Sequence, residues 1–528
     1  MALIEDSANQ QIARSAGKVM IALLLSNLTN LVSLILIATT FGARAEMDAF
    51  LAANRVSETL FLLMAGGALG SAFIPTFTGL LTKGEHNPAW RLASAIANLV
   101  LIFLILAAIL AAIFAQPLVH HVLAPGFADD PAQETLTVDL LRIMLPSAVV
   151  FGLSGLVMGI LNSHQVFFIP ALTPAMYRLG MIFGVLFLTP KMGIFGLAWG
   201  VLIGACLHLM LQIPSLLRVK GIYSPTLGLK LADVRQVGLL MLPRVFGVAV
   251  VQLNFWVNTH LASKMIEGSV TGITWGLTMM LMPQAIIAQS VAMAALPTLS
   301  AQFVRGKIDD LRASLAVSLR GILLLAIPAS IGLILLRQPV VALMLQYGKF
   351  NEASTQLLSW ALLWYTAGLV GHCVVEILAR AFFAMHDTKT PVLVGAVAMG
   401  LNVGLSVLLS NWFHRIGWMP HGGLALANSL ATGLEAAGLV ILMRRRLGGL
   451  EGQRIIKGTT QAILAAAAMS SALWGWLRLT NMQPAWLIGG GGVLLGGLVY
   501  GAVVLLLRVP EVHSVIDLVR RRLKLANK

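Results

Sequence analysis

The chain has 528 residues, 58% of them hydrophobic and 11% charged, with a mean hydropathy of +0.87 and a formal net charge of +15. A soluble domain carries about 25% charged residues, so a water-facing surface of ordinary size cannot be covered, and a soluble enzyme or binding module is excluded. The basic residues lie in short stretches between apolar runs rather than in one patch. That excludes nucleic acid as the partner and reads instead as the charge asymmetry left by membrane insertion.

In chain order, residues 1–18 are polar, with Glu5, Asp6, Asn9, Gln10 and Gln11, and the apolar run behind them has no small-residue site to close a short signal peptide. They are expected to remain as a cytoplasmic N-terminal segment. Apolar runs bounded by Pro, Gly and charge then predict fourteen transmembrane helices, at 19–41, 50–79, 91–115, 134–162, 168–189, 194–216, 236–263, 270–302, 313–336, 353–379, 391–411, 422–443, 456–477 and 485–507. Crossing about 30 Å of hydrocarbon takes roughly 20 residues, so the fold class is all-α and polytopic. Pro75, Pro283 and Pro297 fall inside the longest runs and mark places for a bend or break. With the N-terminus inside, 24 Lys and Arg fall in inner segments, Arg91 and Lys457 at the adjoining span ends included, and 7 in outer loops. The positive-inside rule therefore puts both termini in the cytoplasm. Arg444, Arg445 and Arg446 anchor that topology. So do Arg520, Arg521 and Arg522 in a basic cytoplasmic tail, 508–528, for which a surface helix over Val512–Leu525 in contact with membrane lipid is predicted.

The chain repeats itself. At an offset of 222, Pro75-Thr76 recurs as Pro297-Thr298, Lys83-Gly84 as Arg305-Gly306, Gln116-Pro117 as Gln338-Pro339, Leu123 as Leu345, Gly126 as Gly348 and His164 as His386. With a slipped register, Gly196-Leu197-Ala198 resembles Gly423-Leu424-Ala425. An even number of spans separates the copies, so the halves share one topology and a pseudo-two-fold along the membrane normal, which in transporters flanks a mid-membrane site. The expected lobes are 19–216 and 236–443, with 456–507 an added helix pair. In that pair Gly489–Gly492 suits close helix packing.

Ionisable groups at membrane depth cost at least about 2.5–3.5 kcal/mol and need a partner or a wet cavity. Asp139 with Arg142, and Glu376 with Arg380, have local partners at helical spacing. Arg178 and Arg320 either snorkel or pair between helices, and Glu435 is a further acidic group at depth. The candidate site residues are Arg55 one turn from Glu58 on the second span, and Arg244 after Pro243 on the seventh. Around them stand the polar series Gln252, Asn254, Asn258 and His260 on the seventh span and Asn27, Asn30 and Ser33 on the first. The first and seventh spans are repeat mates, so two polar-lined helices in equivalent positions suit a central hydrophilic pathway; interhelical hydrogen bonding is the alternative. Cys206 and Cys373 are isolated in apolar spans and read as packing residues. His120-His121 has no acidic partner at ligand spacing, and no HExxH, nucleophile elbow or phosphate loop occurs, so neither an enzyme nor a cofactor is expected.

Several motifs resemble the lipid II flippase (MurJ/MviN) family. They are Phe41-Gly42-Ala43 with Met47-Asp48-Ala49-Phe50, the Ala-Phe-Ile-Pro of residues 72–75, Ala124-Pro125-Gly126-Phe127, Gly159-Ile160-Leu161-Asn162, Leu296-Pro297-Thr298-Leu299, Gln346-Tyr347-Gly348-Lys349-Phe350 and Asp387-Thr388-Lys389-Thr390-Pro391-Val392. The resemblance implies two six-helix lobes around a cavity, alternating access, a groove for a polyprenyl tail at the last two spans, and a bacterial cytoplasmic (inner) membrane location. It also implies a lipid-linked glycan as cargo, with cell-wall synthesis proteins as possible partners. The arginines that family members carry on the first, second and eighth spans correspond here to Asn27 and Ser33, to Phe61, and to Leu277-Thr278; Arg55 keeps the family's charge and Arg244 is an added one. The acidic residue some members use for sodium corresponds to Asn258. Three alternatives stay open: transport of another lipid-linked glycan or amphiphile, a multidrug cation antiporter using Glu58, Glu376 and Glu435, and a non-transporting scaffold.

Overall fold

The computed structural model describes residues 2–64, 72–480 and 482–510, with side chains from residue 19 onward. The side chains of the N-terminal segment and the tail helix expected at Val512–Leu525 therefore lie outside the described residues. Among those described there is no strand. Where no water competes, the backbone must satisfy its own hydrogen bonds, and the helix does this within one segment.

The helices in order are α1 (Ala2–Phe41), α2 (Ala45–Met64), α3 (Ile74–Thr82), α4 (His86–Ile113), α5 (Pro131–Ser163), α6 (Phe168–Phe183), α7 (Ile194–Met210), α8 (Ala232–Ser263) and α9 (Ser269–Gln284). They continue with α10 (Ser290–Val304), α11 (Ile308–Leu345), α12 (Glu352–Ala367), α13 (Leu369–Ala384), α14 (Lys389–Arg415), α15 (His421–Leu447), α16 (Gly452–Leu479) and α17 (Ala485–Leu506). Among the described residues, twelve segments are long and apolar enough to cross a membrane, and α12 with α13, bent by 49° at Gly368, makes a thirteenth. The run expected at 50–79 is held by α2 and α3. Glu46, Asp48, Arg55 and Glu58 keep α2 polar, and Pro75 stands in the first turn of α3, where its missing N–H costs nothing. Pro283 stands two residues before a widened turn at Ala285–Gln289, but the helix runs on through it into α10, so Ser269–Val304 is one span and not a broken one. Pro243 and Pro297 stay inside continuous helices.

Two compact units divide the chain, residues 1–270 with 348–350, and residues 271–347 with 351–528. In the first, Phe73, Phe77, Leu92, Ile96, Leu104 and Leu156 centre a core that also takes Val234 and Val237 from the start of α8. Close backbone packing joins α6 to α7. Gly180 and Gly184 face Gly196, Gly200 and Gly204, and a Cβ on Gly184 would fall 2.7 Å from the Gly200 backbone. In the second unit α16 and α17 pack on α11, with Leu324, Ile327, Ala462, Ala465 and Val504 at the centre. There Gly489 approaches the Pro339 carbonyl, Gly491 the Trp476 ring and Gly492 the Leu336 side chain. The outer surface is apolar: Leu24 and Leu28 on α1, and Phe103, Leu106 and Ile113 on α4, are more than half exposed.

The repeat recurs in local backbone. Gly84 and Gly306, 222 residues apart, both take positive φ at a helix end, and the residue after each, Glu85 or Lys307, closes it by donating to Leu80 or Gln302.

Candidate functional site

Arg55 stands ten residues into α2, about 15 Å along its axis. Its side chain is 12% exposed, and its Nη1 donates to Glu58 Oε2 at 3.0 Å. A guanidinium has five N–H donors, so Glu58, 44% exposed, leaves most of them uncommitted; Nε is buried without a hydrogen-bond partner. The guanidinium carbon lies over the Phe255 ring of α8, 5.1 Å from its centroid. A turn further along α2, the buried Thr59 hydroxyl donates to the Arg55 carbonyl at 2.7 Å and accepts from Trp256 Nε1 at 2.8 Å, with Gln252 Oε1 3.3 Å away. The cluster lies wholly within the first unit.

The structure thus brings Arg55, Glu58 and Gln252 together. Thr59, Phe255 and Trp256 complete the cluster and escaped the sequence reading, because threonine and aromatic residues are ordinary in a span. Their signal was spacing, one turn from Arg55 and one turn from Gln252. Asn254 and Asn258 are buried and paired, Asn258 Nδ2 donating to Asn254 Oδ1 at 3.2 Å. Arg244 is exposed on α8, eleven residues before Phe255 and so about 16 Å along the axis, outside the Arg55 cluster. On α1, Asn27 is exposed and Asn30 half-buried, while Ser33 is fully buried with its hydroxyl unpaired.

The remaining charges are accounted for locally. Arg380 holds Glu376 through Nε and Nη2 at 2.9 and 2.7 Å, and Arg142 reaches Asp139 at 4.0 Å. Arg178 lies over the Tyr177 ring, and Arg320 against Gly458 of α16. Glu435 is half-buried beside Gly395. The reading of His120 needs correction: it has an acidic partner, Glu134, 3.0 Å from Nδ1. Sequence spacing hid it because fourteen residues intervene before α5 returns Glu134 to the histidine. His260 meets the same segment through the Val122 carbonyl at 2.8 Å.

Two further features bear on function. A cavity of about 460 Å³ opens in the second unit between α9, α11, α16 and α17, walled by Met279, Leu333, Met344, Met469, Gly496 and Tyr500 among mostly apolar residues. In the first unit, two loops that are repeat mates dock on two helix ends that are repeat mates. The Gly126 N–H donates to Ser263 Oγ at the end of α8 at 3.2 Å, and the Lys349 N–H donates to the Thr39 carbonyl near the end of α1 at 2.8 Å. Gly126 and Gly348 both touch backbone where a Cβ would collide, and Gly42 meets the Lys349 carbonyl in the same way.

A multi-span helical body, a largely buried arginine held between α2 and α8 and an apolar cavity beside the last two helices suit a polytopic membrane transporter. A multidrug MATE-family transporter of the MOP superfamily, in an inward-facing conformation, shares the fold at TM-score 0.64 and 16% identity over 81% of this chain and 96% of that one. A lipid II flippase MurJ in an inward closed conformation shares it at TM-score 0.79 and 24% identity over 93% of this chain and 98% of that one. The family model for lipid II flippase MurJ matches residues 37–490. A lipid II flippase MurJ of Burkholderia cenocepacia is 31% identical over 80% of this chain and 82% of its own length. A probable lipid II flippase MurJ of Haemophilus influenzae is 29% identical over 93% of this chain and 99% of its own. The chain belongs to the lipid II flippase MurJ family.

Proposed function

We propose that this protein moves a polyprenyl-diphosphate-linked peptidoglycan precursor, lipid II or a close analogue, across the bacterial cytoplasmic membrane by alternating access, with both termini in the cytoplasm. The observation that carries the reading is Arg55, a largely buried guanidinium with most of its donors uncommitted. A diphosphate is the anion that a planar fork of donors suits. Arg244, exposed on α8, adds a second cation along the path. The cavity between α9, α11, α16 and α17 offers the apolar half of the cargo a place, where each buried CH₂ contributes about 0.8 kcal/mol. The membrane potential drives an anionic headgroup outward by about 2.3 kcal/mol per charge per 100 mV, so transport proceeds without covalent chemistry and without nucleotide. The lobes 19–216 and 236–443 are the moving bodies, and the helix pair 456–507 serves the tail.

The test is complementation of a strain depleted of its own lipid II flippase. The wild-type gene should restore growth. Arg55→Ala, accumulating normally in the membrane, should cut transport roughly tenfold or more, since a charge-assisted contact is worth about 1.5–3 kcal/mol. Arg55→Lys should keep part of the activity. A well-inserted Arg55→Ala protein that transports at the wild-type rate removes the diphosphate from the reading. The half-buried Glu435 favours one second reading, export of an organic cation, and wild-type protein that fails to complement but confers drug resistance would select it.

A further inference from the structure

We propose that Phe255 is the positioning residue for Arg55: its ring holds the guanidinium by a cation–ring contact and so leaves its charge in place for the diphosphate of the cargo. The inference rests on the flippase reading and adds to it the residue that orients the headgroup contact.

The geometry separates two kinds of contact. Glu58 holds Arg55 at the edge, through Nη1 at 3.0 Å, and that contact uses a donor and offsets the charge. The Phe255 ring, its centroid 5.1 Å from the guanidinium carbon, carries no charge of its own and leaves that of Arg55 in place. A phosphate oxygen competes with Glu58 for the same edge but not with the ring. When cargo displaces the carboxylate, which is 44% exposed and free to turn toward water, the ring still keeps the guanidinium from swinging away.

The ring must itself be kept in register with Arg55, and the neighbouring residue does this. Trp256 Nε1–H donates to Thr59 Oγ1 at 2.8 Å, and Thr59 donates to the Arg55 carbonyl at 2.7 Å. The chain from the α8 indole through the α2 hydroxyl ends on the backbone of the arginine that Phe255 carries. Gln252, one turn before Trp256, stands 3.3 Å from the same hydroxyl. Phe255 and Trp256 therefore have different tasks: the first touches the guanidinium, the second locks the helices that bring them together.

Binding of undecaprenyl diphosphate to the purified full-length protein in lipid nanodiscs tests this, with thermal unfolding measured on the same samples. Phe255→Leu should weaken binding about three- to tenfold, the size of a partly desolvated cation–ring contact, and Phe255→Tyr should restore it. In an Arg55→Ala background Phe255→Leu should have no further effect on binding. A residue that merely packs would move the unfolding temperature and weaken binding equally in both backgrounds, and that result overturns the positioning role. So does a Phe255→Leu protein that binds like wild type while Arg55→Ala does not. Wild-type protein that binds no undecaprenyl diphosphate overturns the flippase reading and this inference together.

Discussion

Asp387 shows how one side chain can tie a junction, and it titrates. It sits between α13 and α14, outside the spans, and pairs with Arg446 at the end of α15. Burial pulls its carboxyl upward, but the Thr390 amide at 3.0 Å, the Thr390 hydroxyl at 2.8 Å and the Arg446 guanidinium outweigh it and hold the group below the usual carboxylate range. A depressed folded value means that the stabilisation is full above the unfolded pKa and is lost as pH falls through the folded one. Asp387→Asn should therefore lower the unfolding temperature at pH 7, and the gap to wild type should close as the pH is lowered below the ordinary aspartate value. Unfolding curves of both proteins from pH 7 downward check this, and a gap that stays constant would mean the carboxylate's charge contributes nothing. The Arg446 pairing was not legible in the sequence, where the arginine read only as a topology anchor. Arg55, by contrast, stood out at once, because a cation in an apolar span has to be explained.

At the scale of elements, hydropathy was enough to place the membrane-crossing helices, since a span must be long and apolar whatever it packs against. Breaks were harder. Pro283 marks the neighbourhood of the widened turn that follows it, but the 49° bend at Gly368 comes from a glycine among many and has no sequence signature. The close packing of α6 on α7 has a weaker sequence signal, glycines at four-residue spacing, than the consecutive run at Gly489–Gly492. The α6–α7 contact predicts that Gly200→Leu, forced against the Gly184 backbone, destabilises the protein by several kcal/mol, as overpacking at a site that cannot yield does. Loss of the monodisperse detergent-purified form, with Gly497→Leu (open space at its Cβ) behaving as wild type, is the expected pair of outcomes. In the second unit, Gly496→Phe places a ring in the apolar cavity. It should weaken binding of a polyprenyl ligand while leaving binding of a water-soluble diphosphate unchanged, as isothermal titration with each ligand would show.

At the scale of the whole molecule the internal repeat acquires a mechanical meaning. Each copy contributes a loop glycine, Gly126 or Gly348, and each contributes a helix end, Thr39 or Ser263; the loops are exchanged, so the glycine of one copy rests on the helix end of the other. Two of the motifs that carry the family resemblance, Phe41-Gly42-Ala43 and Tyr347-Gly348-Lys349-Phe350, owe their proximity to this exchange, which explains why glycine is required at both: the Gly42 Cβ would meet the Lys349 carbonyl at 2.6 Å. Neither contact uses a charge, and each amounts to one or two hydrogen bonds worth about 1 kcal/mol apiece; beside them the Gly268 N–H donates to the Asp48 carboxylate at 2.7 Å and the Ala45 N–H to that of Glu267 at 2.9 Å. Alternating access requires that this clasp of contacts open. Thr39→Cys paired with Lys349→Cys, in a protein whose Cys206 and Cys373 are replaced by alanine, should form a disulfide on mild oxidation and stop transport, and reduction should restore it. Each single cysteine should transport normally under the same oxidation. If the cross-linked protein, shown to be fully oxidised, transports at the rate of the reduced one, the clasp stays shut throughout the cycle, and the two copies do not separate at these helix ends.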